Sequence, residues 1–294
     1  MASSTSSSTS SAGKRVGLVL GAGGVRGCAH AGAIAVLQEA GIPIDLVVGA
    51  SAGALFGLGV AAGVPVERMA ADARDAPLAD VFRFYAGRLR GGRNNRIGRM
   101  LLDAAGDKTF ADLAVPFATI VTDMETGEPR VIDRGPVLPA VEASIALPFI
   151  ARPVEIEGRY YLDGGLRDTA PVQVARDMGA DVVICVCLGY NYHAPAALRR
   201  RPWTRPLLER LGGTAGTGAR LTDQVRFFSR LCAASFSPPL PAQDADVAIW
   251  PEFGAVGTNS MGGAGFCYEQ GVAATRAALP RIREALTGVV LPAG

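Results

Sequence analysis

Ser51 stands at the centre of Gly49-Ala50-Ser51-Ala52-Gly53, a G-x-S-x-G pentapeptide between the apolar runs IDLVV and ALFGLGVAAG. A strand, a sharp turn and a helix in that order present a serine hydroxyl at the end of a sheet, where it can attack a carbonyl. A second glycine-rich turn, GAGGVRG, follows the apolar run VGLVL and leads into CAHAGAIAVLQEAG, whose apolar positions recur at helical spacing. Its glycines at positions 21, 23, 24 and 27 let backbone N–H groups approach an anion at the positive end of a helix. A dinucleotide fingerprint is excluded, because a count from Gly21 places Arg26 where the third glycine belongs. The second strand also ends in Gly49-Ala50-Ser51, without a ribose-binding acid. A Walker A loop is excluded by the missing Gly-Lys-Ser/Thr. The remaining anion that suits such donors is the transient oxyanion of acyl transfer.

A serine nucleophile needs a base, and the chain holds only two histidines, His30 and His193. In the usual hydrolase order of serine, acid and histidine, His193 is the candidate, but Ser51 comes too early in the chain for that fold. His30 follows Gly27 by three residues on the first helix, where packing or a backbone hydrogen bond is its ordinary role. Asp163 follows the run RYYL and precedes Gly164-Gly165, so a carboxylate is expected at a strand end in a permissive turn.

The elements that must position these residues alternate. Strands are expected at 16–20, up to Val48, and at 116–124, 129–133, 157–165, 181–189 and 247–250, with helices after Gly27, from about Ala52, and at 139–146 and 171–178. The short spacing of the first two strands calls for a parallel crossover, so the core opens as α/β. Residues 46–66 carry no charge and are long enough to cross a bilayer. Their five glycines, their serine and the proline near their end instead divide them into a buried strand, turn and helix.

With 294 residues, 49% of them hydrophobic and 19% charged, the chain has ample apolar material for a large core. Twenty-nine Lys and Arg against 27 Asp and Glu leave +2, too balanced for a dedicated nucleic-acid binder. The five cysteines are odd in number and sit mostly in apolar runs, which predicts reduced, buried thiols, a cytoplasmic protein and no metal site. Residues 1–14 form a Ser/Thr-rich stretch without the apolar core of a signal peptide and are expected to be a disordered tail. Residues 15–180 are expected to form the catalytic core, and 181–294 the C-terminal part of the same domain. Six arginines in 83–99 and four in 199–205 read as solvated surface or as a docking face for anionic headgroups at the inner membrane face.

GAGGVRGCAHAG at 21–32, GASAG at 49–53, ASIALP at 143–148 and YYLDGGLRDTAP at 160–171, in this order, resemble the bacterial patatin-like phospholipases. DKTFADLAVP, VTDMETGE and FCYEQGVAA agree as well, so the resemblance covers nearly the whole chain. It implies a three-layer α/β/α fold with a mainly parallel central sheet and a Ser-Asp dyad without histidine, Ser51 as nucleophile and Asp163 as general base. It further implies an oxyanion hole from the backbone N–H groups of Gly23, Gly24 and Val25, supported by Gly21, Arg26, Gly27, Gly49, Gly53, Gly164 and Gly165. The substrate implied is a lipid or lysolipid ester, with no cofactor and no metal. The chain departs from the pattern at Asp168-Thr169, where relatives commonly carry Asn-Pro, and at Ala151-Arg152, often Phe-Pro. The first departure brings a second carboxylate near Asp163 if the turn is preserved, where it either raises the pKa of the base or faces water, and the second is expected to alter the acyl pocket wall. Any lid or lipid-docking element is expected at 190–245. The altered turn leaves open a catalytically silent lipid- or partner-binding protein on the same fold, and His193 leaves open an ordinary triad esterase.

Overall fold

The apolar runs at the start of the chain form the centre of one sheet. The computed structural model describes residues 13–75, 103–148, 151–189, 242–254, 256 and 263–288. β1 (Val16–Leu20), β2 (Leu46–Ala50), β3 (Phe117–Asp123) and β7 (Val182–Val186) are buried at every position. Strands covered on both faces need continuous apolar sequence, which explains why VGLVL, LVVGA and VVICV carry no alternation. The parallel order is β8 (Val247–Ile249), β7, β1, β2, β3. Beyond it, β4 (Pro129–Ile132) and β6 (Arg159–Asp163) pair antiparallel with β3, and β5 (Val154–Ile156) pairs antiparallel with β6.

Helices cover both faces. Val16, Leu18 and Leu20 of β1 pack with α1 (Cys28–Glu39), α2 (Ala52–Ala61) and the C-terminal α6 (Ala264–Thr287), while Val19 packs on the opposite side with α5 (Val172–Asp177). α3 (Val66–Asp75) and α4 (Val137–Ser144) complete the first layer. This is the three-layer α/β/α arrangement with a mainly parallel sheet. α1 and α6 cross closely at glycines: a Cβ on Gly32 would lie 2.2 Å from the carbonyl oxygen of Tyr268, and one on Gly271 would lie 2.0 Å from that of Ala29.

The unbroken apolar stretch 46–66 divides as its glycines predict, with the strand running two residues further, to Ala50. Among the described residues no helix is long and apolar enough to cross a membrane. Three elements escaped the sequence: β5 is only three residues long, α3 carries the charged pair Glu67-Arg68 in its first turn, and α6 runs 24 residues through Pro280. Both arginine-rich runs, the N-terminal stretch to residue 12, most of 190–245, His193 and Cys232 lie outside the described residues.

The seam beside β3 decides the placement of the site. Ala50 of β2 pairs with Ile120, and Asp163 of β6 pairs with the next residue, Val121. Because β4 already pairs with Thr119–Thr122, β2 and β6 must share the other edge of β3, one after the other. Their carboxyl ends therefore meet tip to tip. Two residues 112 apart in sequence are brought into contact by this seam.

Candidate active site

β2 ends at Ala50, and Ser51 turns the chain into α2 with φ 53° and ψ −122°. A non-glycine residue in that region costs about 1–3 kcal/mol and persists only where its surroundings hold it. The surrounding glycines admit the turn. A Cβ on Gly49 would lie 2.5 Å from the Gly53 carbonyl oxygen, and one on Gly53 would lie 1.8 Å from that of Leu20. α2 thus begins flush against the end of β1, with Ser51 at its positive terminus.

Ser51 Oγ donates to Asp163 Oδ2 at 2.6 Å, and both residues are almost completely buried. Asp163 Oδ1 accepts from the N–H of Gly165 at 2.8 Å, which fixes the carboxylate plane. A Cβ on Gly164 would lie 2.0 Å from the Ile120 carbonyl oxygen, and one on Gly165 would lie 2.5 Å from Ala22 Cβ, so Asp-Gly-Gly is a close-approach turn. Burial pushes the Asp163 carboxyl up to about 7, against the lowering effect of its bonds from Ser51 and Gly165.

The glycine loop lies against this pair. Gly24–Gly27 form one tight helical turn that leads into α1, with Gly24 at φ 58°. The first N–H groups of such a turn have no partner within it. A Cβ on Gly27 would lie 2.6 Å from Ala52 Cβ, beside Ser51. The Ala22 N–H donates to the Thr169 carbonyl and the Gly21 N–H to that of Val186. Arg26 ties the loop down: its Nε and Nη2 donate to the carbonyl of Val256 and its Nη1 to those of Leu188 and Gly189, over the ring of Phe253. With its donors engaged by three backbone carbonyls, Arg26 acts as a clamp.

His30 is fully buried, with Nε2 donating to the carbonyl of Gly21 at 2.8 Å. Burial lowers its pKa to about 4, so it is neutral at pH 7, and its role is the structural one expected of it. Asp168 is bound within its own turn. Its own Oδ1 accepts from the Ala170 N–H, and its N–H, like that of Arg167, donates to the carbonyl of Gly164. The Asp168-Thr169 departure therefore leaves the turn intact. Ala151, like Met124 and Val154, packs against a small buried cluster of Ala146, Leu162 and Leu166.

Ser144, inside ASIALP, was not singled out by sequence reasoning. Its Oγ accepts from the Ser51 N–H at 3.0 Å and donates to the Ile120 carbonyl at 2.7 Å. Two residues on, the Ala146 carbonyl accepts from the Asp163 N–H, while Thr122 Oγ1 donates to the Asp163 carbonyl. The available signal was a serine at the end of an otherwise Ala- and Val-rich helical stretch. Cys185 and Cys187, expected on one face of a strand, bring their Sγ atoms within 3.4 Å. Cys185, Cys187 and Cys267 are buried thiols and Cys28 is half-buried. Among the described residues no group of three His, Cys, Asp or Glu could hold a metal.

The patatin-like phospholipase family model matches residues 18–176, a span that contains Ser51, Asp163 and the glycine loop. The chain belongs to the patatin-like phospholipase family. Among its relatives are an NTE family protein of Mycobacterium tuberculosis, 35% identical over 188 residues, 62% of this chain and 51% of that protein. The patatin-like phospholipase domain-containing protein 6 of Homo sapiens is 32% identical over 60% of this chain and 14% of its own length. A lysophospholipase of Aspergillus fumigatus is 33% identical over 60% of this chain and 12% of its own. The chain thus spans about half the length of the mycobacterial relative and a small part of the other two. The crystal structure of VipD from Legionella pneumophila shares the fold, with a TM-score of 0.53 and 16% identity over 94% of this chain and 67% of that one.

Proposed function

We propose that this patatin-like chain is a serine lipid acyl hydrolase of the phospholipase A or lysophospholipase type. The observation that carries the reading is the 2.6 Å bond from Ser51 Oγ to the buried carboxylate of Asp163 at the head of α2. Ser51 is the nucleophile and Asp163 the general base. Asp163 Oδ2 takes the Ser51 proton as Oγ adds to the ester carbonyl, and the backbone N–H groups of Gly23, Gly24 and Val25 receive the oxyanion. The N-terminus of α2, with Ser51 as its cap, puts a positive dipole end beside the nucleophile and supports this reading. The proton then passes from Asp163 to the leaving alcohol. Water, deprotonated by the same carboxylate, releases the fatty acid and regenerates Ser51.

A carboxyl poised at about 7 suits this work, since a general base is most effective with a pKa near the operating pH. His30 is committed to the Gly21 carbonyl and takes no part. The lysophospholipase of A. fumigatus supports a lysolipid or phospholipid ester as substrate. Contact with an anionic membrane rests on the arginine-rich stretches of the sequence.

The test compares hydrolysis of p-nitrophenyl butyrate and of a long-chain lysophosphatidylcholine by the wild type, Ser51→Ala and Asp163→Asn. Turnover of both esters, lost in both variants, is expected. Full turnover in either variant would remove the dyad. A folded wild type inert on both esters would favour a silent lipid-binding role.

A further inference from the structure

Ser144 stands where the seam beside β3 changes hands. β2 follows β3 up to Ala50 opposite Ile120, and β6 takes over at Asp163 opposite Val121. At this junction the chain leaves the ladder, and Ser51 enters the left-handed region with its N–H still directed toward β3. The Ser144 hydroxyl fills the gap between that N–H and the Ile120 carbonyl, taking the one and giving to the other. It is wholly buried, so neither group has water as an alternative partner. Its own segment also holds the second half of the site, because the Ala146 carbonyl accepts from the Asp163 N–H at 3.0 Å.

We propose that Ser144 is a positioning residue of the active site, whose hydroxyl bridges the Ser51 N–H to the Ile120 carbonyl and thereby sets the distance from Ser51 Oγ to Asp163. This rests on the hydrolase reading above and adds a residue to it. An alanine at 144 leaves an N–H and a carbonyl unpaired in a dry site, and the strained turn relaxes at the expense of the contact to Asp163. A shift of about 1 Å in a reacting group costs on the order of 100-fold in rate. The loss should fall on kcat, since Ser144 lies beneath the turn, on the side of β3.

The experiment uses the full chain and p-nitrophenyl butyrate, with active sites counted by a fluorophosphonate titrant so that only folded protein enters kcat. Ser144→Ala should lower kcat about 100-fold with KM within about 3-fold of wild type. The acidic limb of its pH profile should move to higher pH, because the Ser51 bond that holds the Asp163 pKa down is weakened. Ser144→Thr, which keeps the hydroxyl, should recover most of the rate and restore the limb. If Ser144→Ala yields no folded protein, Ser144→Cys carries the same expectation of a lowered kcat and a displaced limb. Wild-type kcat and an unmoved limb in the folded variant would overturn the inference, whatever its thermal stability. Absence of Ser51-dependent turnover in the wild type would instead overturn the hydrolase reading and this inference with it.

Discussion

Replacing Asp163 by asparagine should stabilise the fold at alkaline pH while it abolishes the proposed chemistry. In the unfolded chain Asp163 ionises near 3.9, whereas burial in the fold holds it up to about 7. Below about pH 3 the group is neutral in both states and contributes nothing to the difference. Between these values the folded state keeps a proton that the unfolded state has lost, so stability falls as pH rises, and the loss is complete above about 7. A rise from 3.8 to about 7 corresponds to about 4 kcal/mol by linkage, an upper bound because the fold relaxes around a charge. Asparagine is nearly isosteric. Its amide oxygen can accept from the Gly165 N–H and its NH2 group can face Ser51 Oγ, so it removes the charge while keeping the packing.

Urea denaturation at pH 5 and pH 9 reads the effect. Linkage places about 1.5 kcal/mol of the loss below pH 5, and the variant should gain a further ~2–3 kcal/mol relative to wild type between pH 5 and pH 9. His30 lies in the same pH range with the opposite sign, since burial lowers it to about 4 and its contribution is lost as pH falls below about 6.5. It is present in both proteins and cancels in the difference. A difference that does not grow with pH would refute the argument that burial of an ionisable Asp163 is a standing cost of this fold.

Wild-type kcat/KM should rise through about pH 7 as Asp163 loses its proton and hold on the alkaline side; a decline above pH 7 would contradict its role as base. Gly53→Ala should cost about 3 kcal/mol or more in chemical denaturation, because the new carbon meets the Leu20 carbonyl oxygen at 1.8 Å and β1 and α2 must part. Gly41→Ala meets nothing within 4 Å and should cost only about 1 kcal/mol, from its φ of +66°. Arg26→Lys should lower kcat/KM by about 10-fold or more, because an ammonium group cannot reach the carbonyls of Leu188, Gly189 and Val256 in one plane; undiminished turnover would show that the clamp is dispensable.

What the sequence disclosed, and what it withheld, follows from the range of the forces involved. The central strands were legible because burial on both faces demands unbroken apolar runs, and the strand-to-helix turn at Ser51 was legible because Gly49 and Gly53 have no room for a side chain. Both are local constraints that leave a local trace. The end of β2 was read two residues short because Gly49 and Ala50 lack strand propensity, and their pairing with Thr119 and Ile120 overrides it. Position 168 left two outcomes open in the sequence, an effect on Asp163 or a carboxylate turned to water, because its partner, the Ala170 N–H two residues on, depends on the shape of the turn. The meeting of Ser51 with Asp163 has no local trace at all, since it needs β6 to return antiparallel along β3 and stop one residue short of β2. The same holds for Ser144, whose two partners come from β3 and from the turn after β2. A family resemblance can name the serine and the aspartate, but the register of the seam explains why they must touch. A one-residue slip of β6 along β3 would separate Asp163 from Ser51 by about 3.4 Å and turn its side chain to the other face of the sheet. The bond from the Asp163 N–H to the Ala146 carbonyl and that from Thr122 Oγ1 to the Asp163 carbonyl hold that register, so the site depends on residues that take no part in the chemistry themselves.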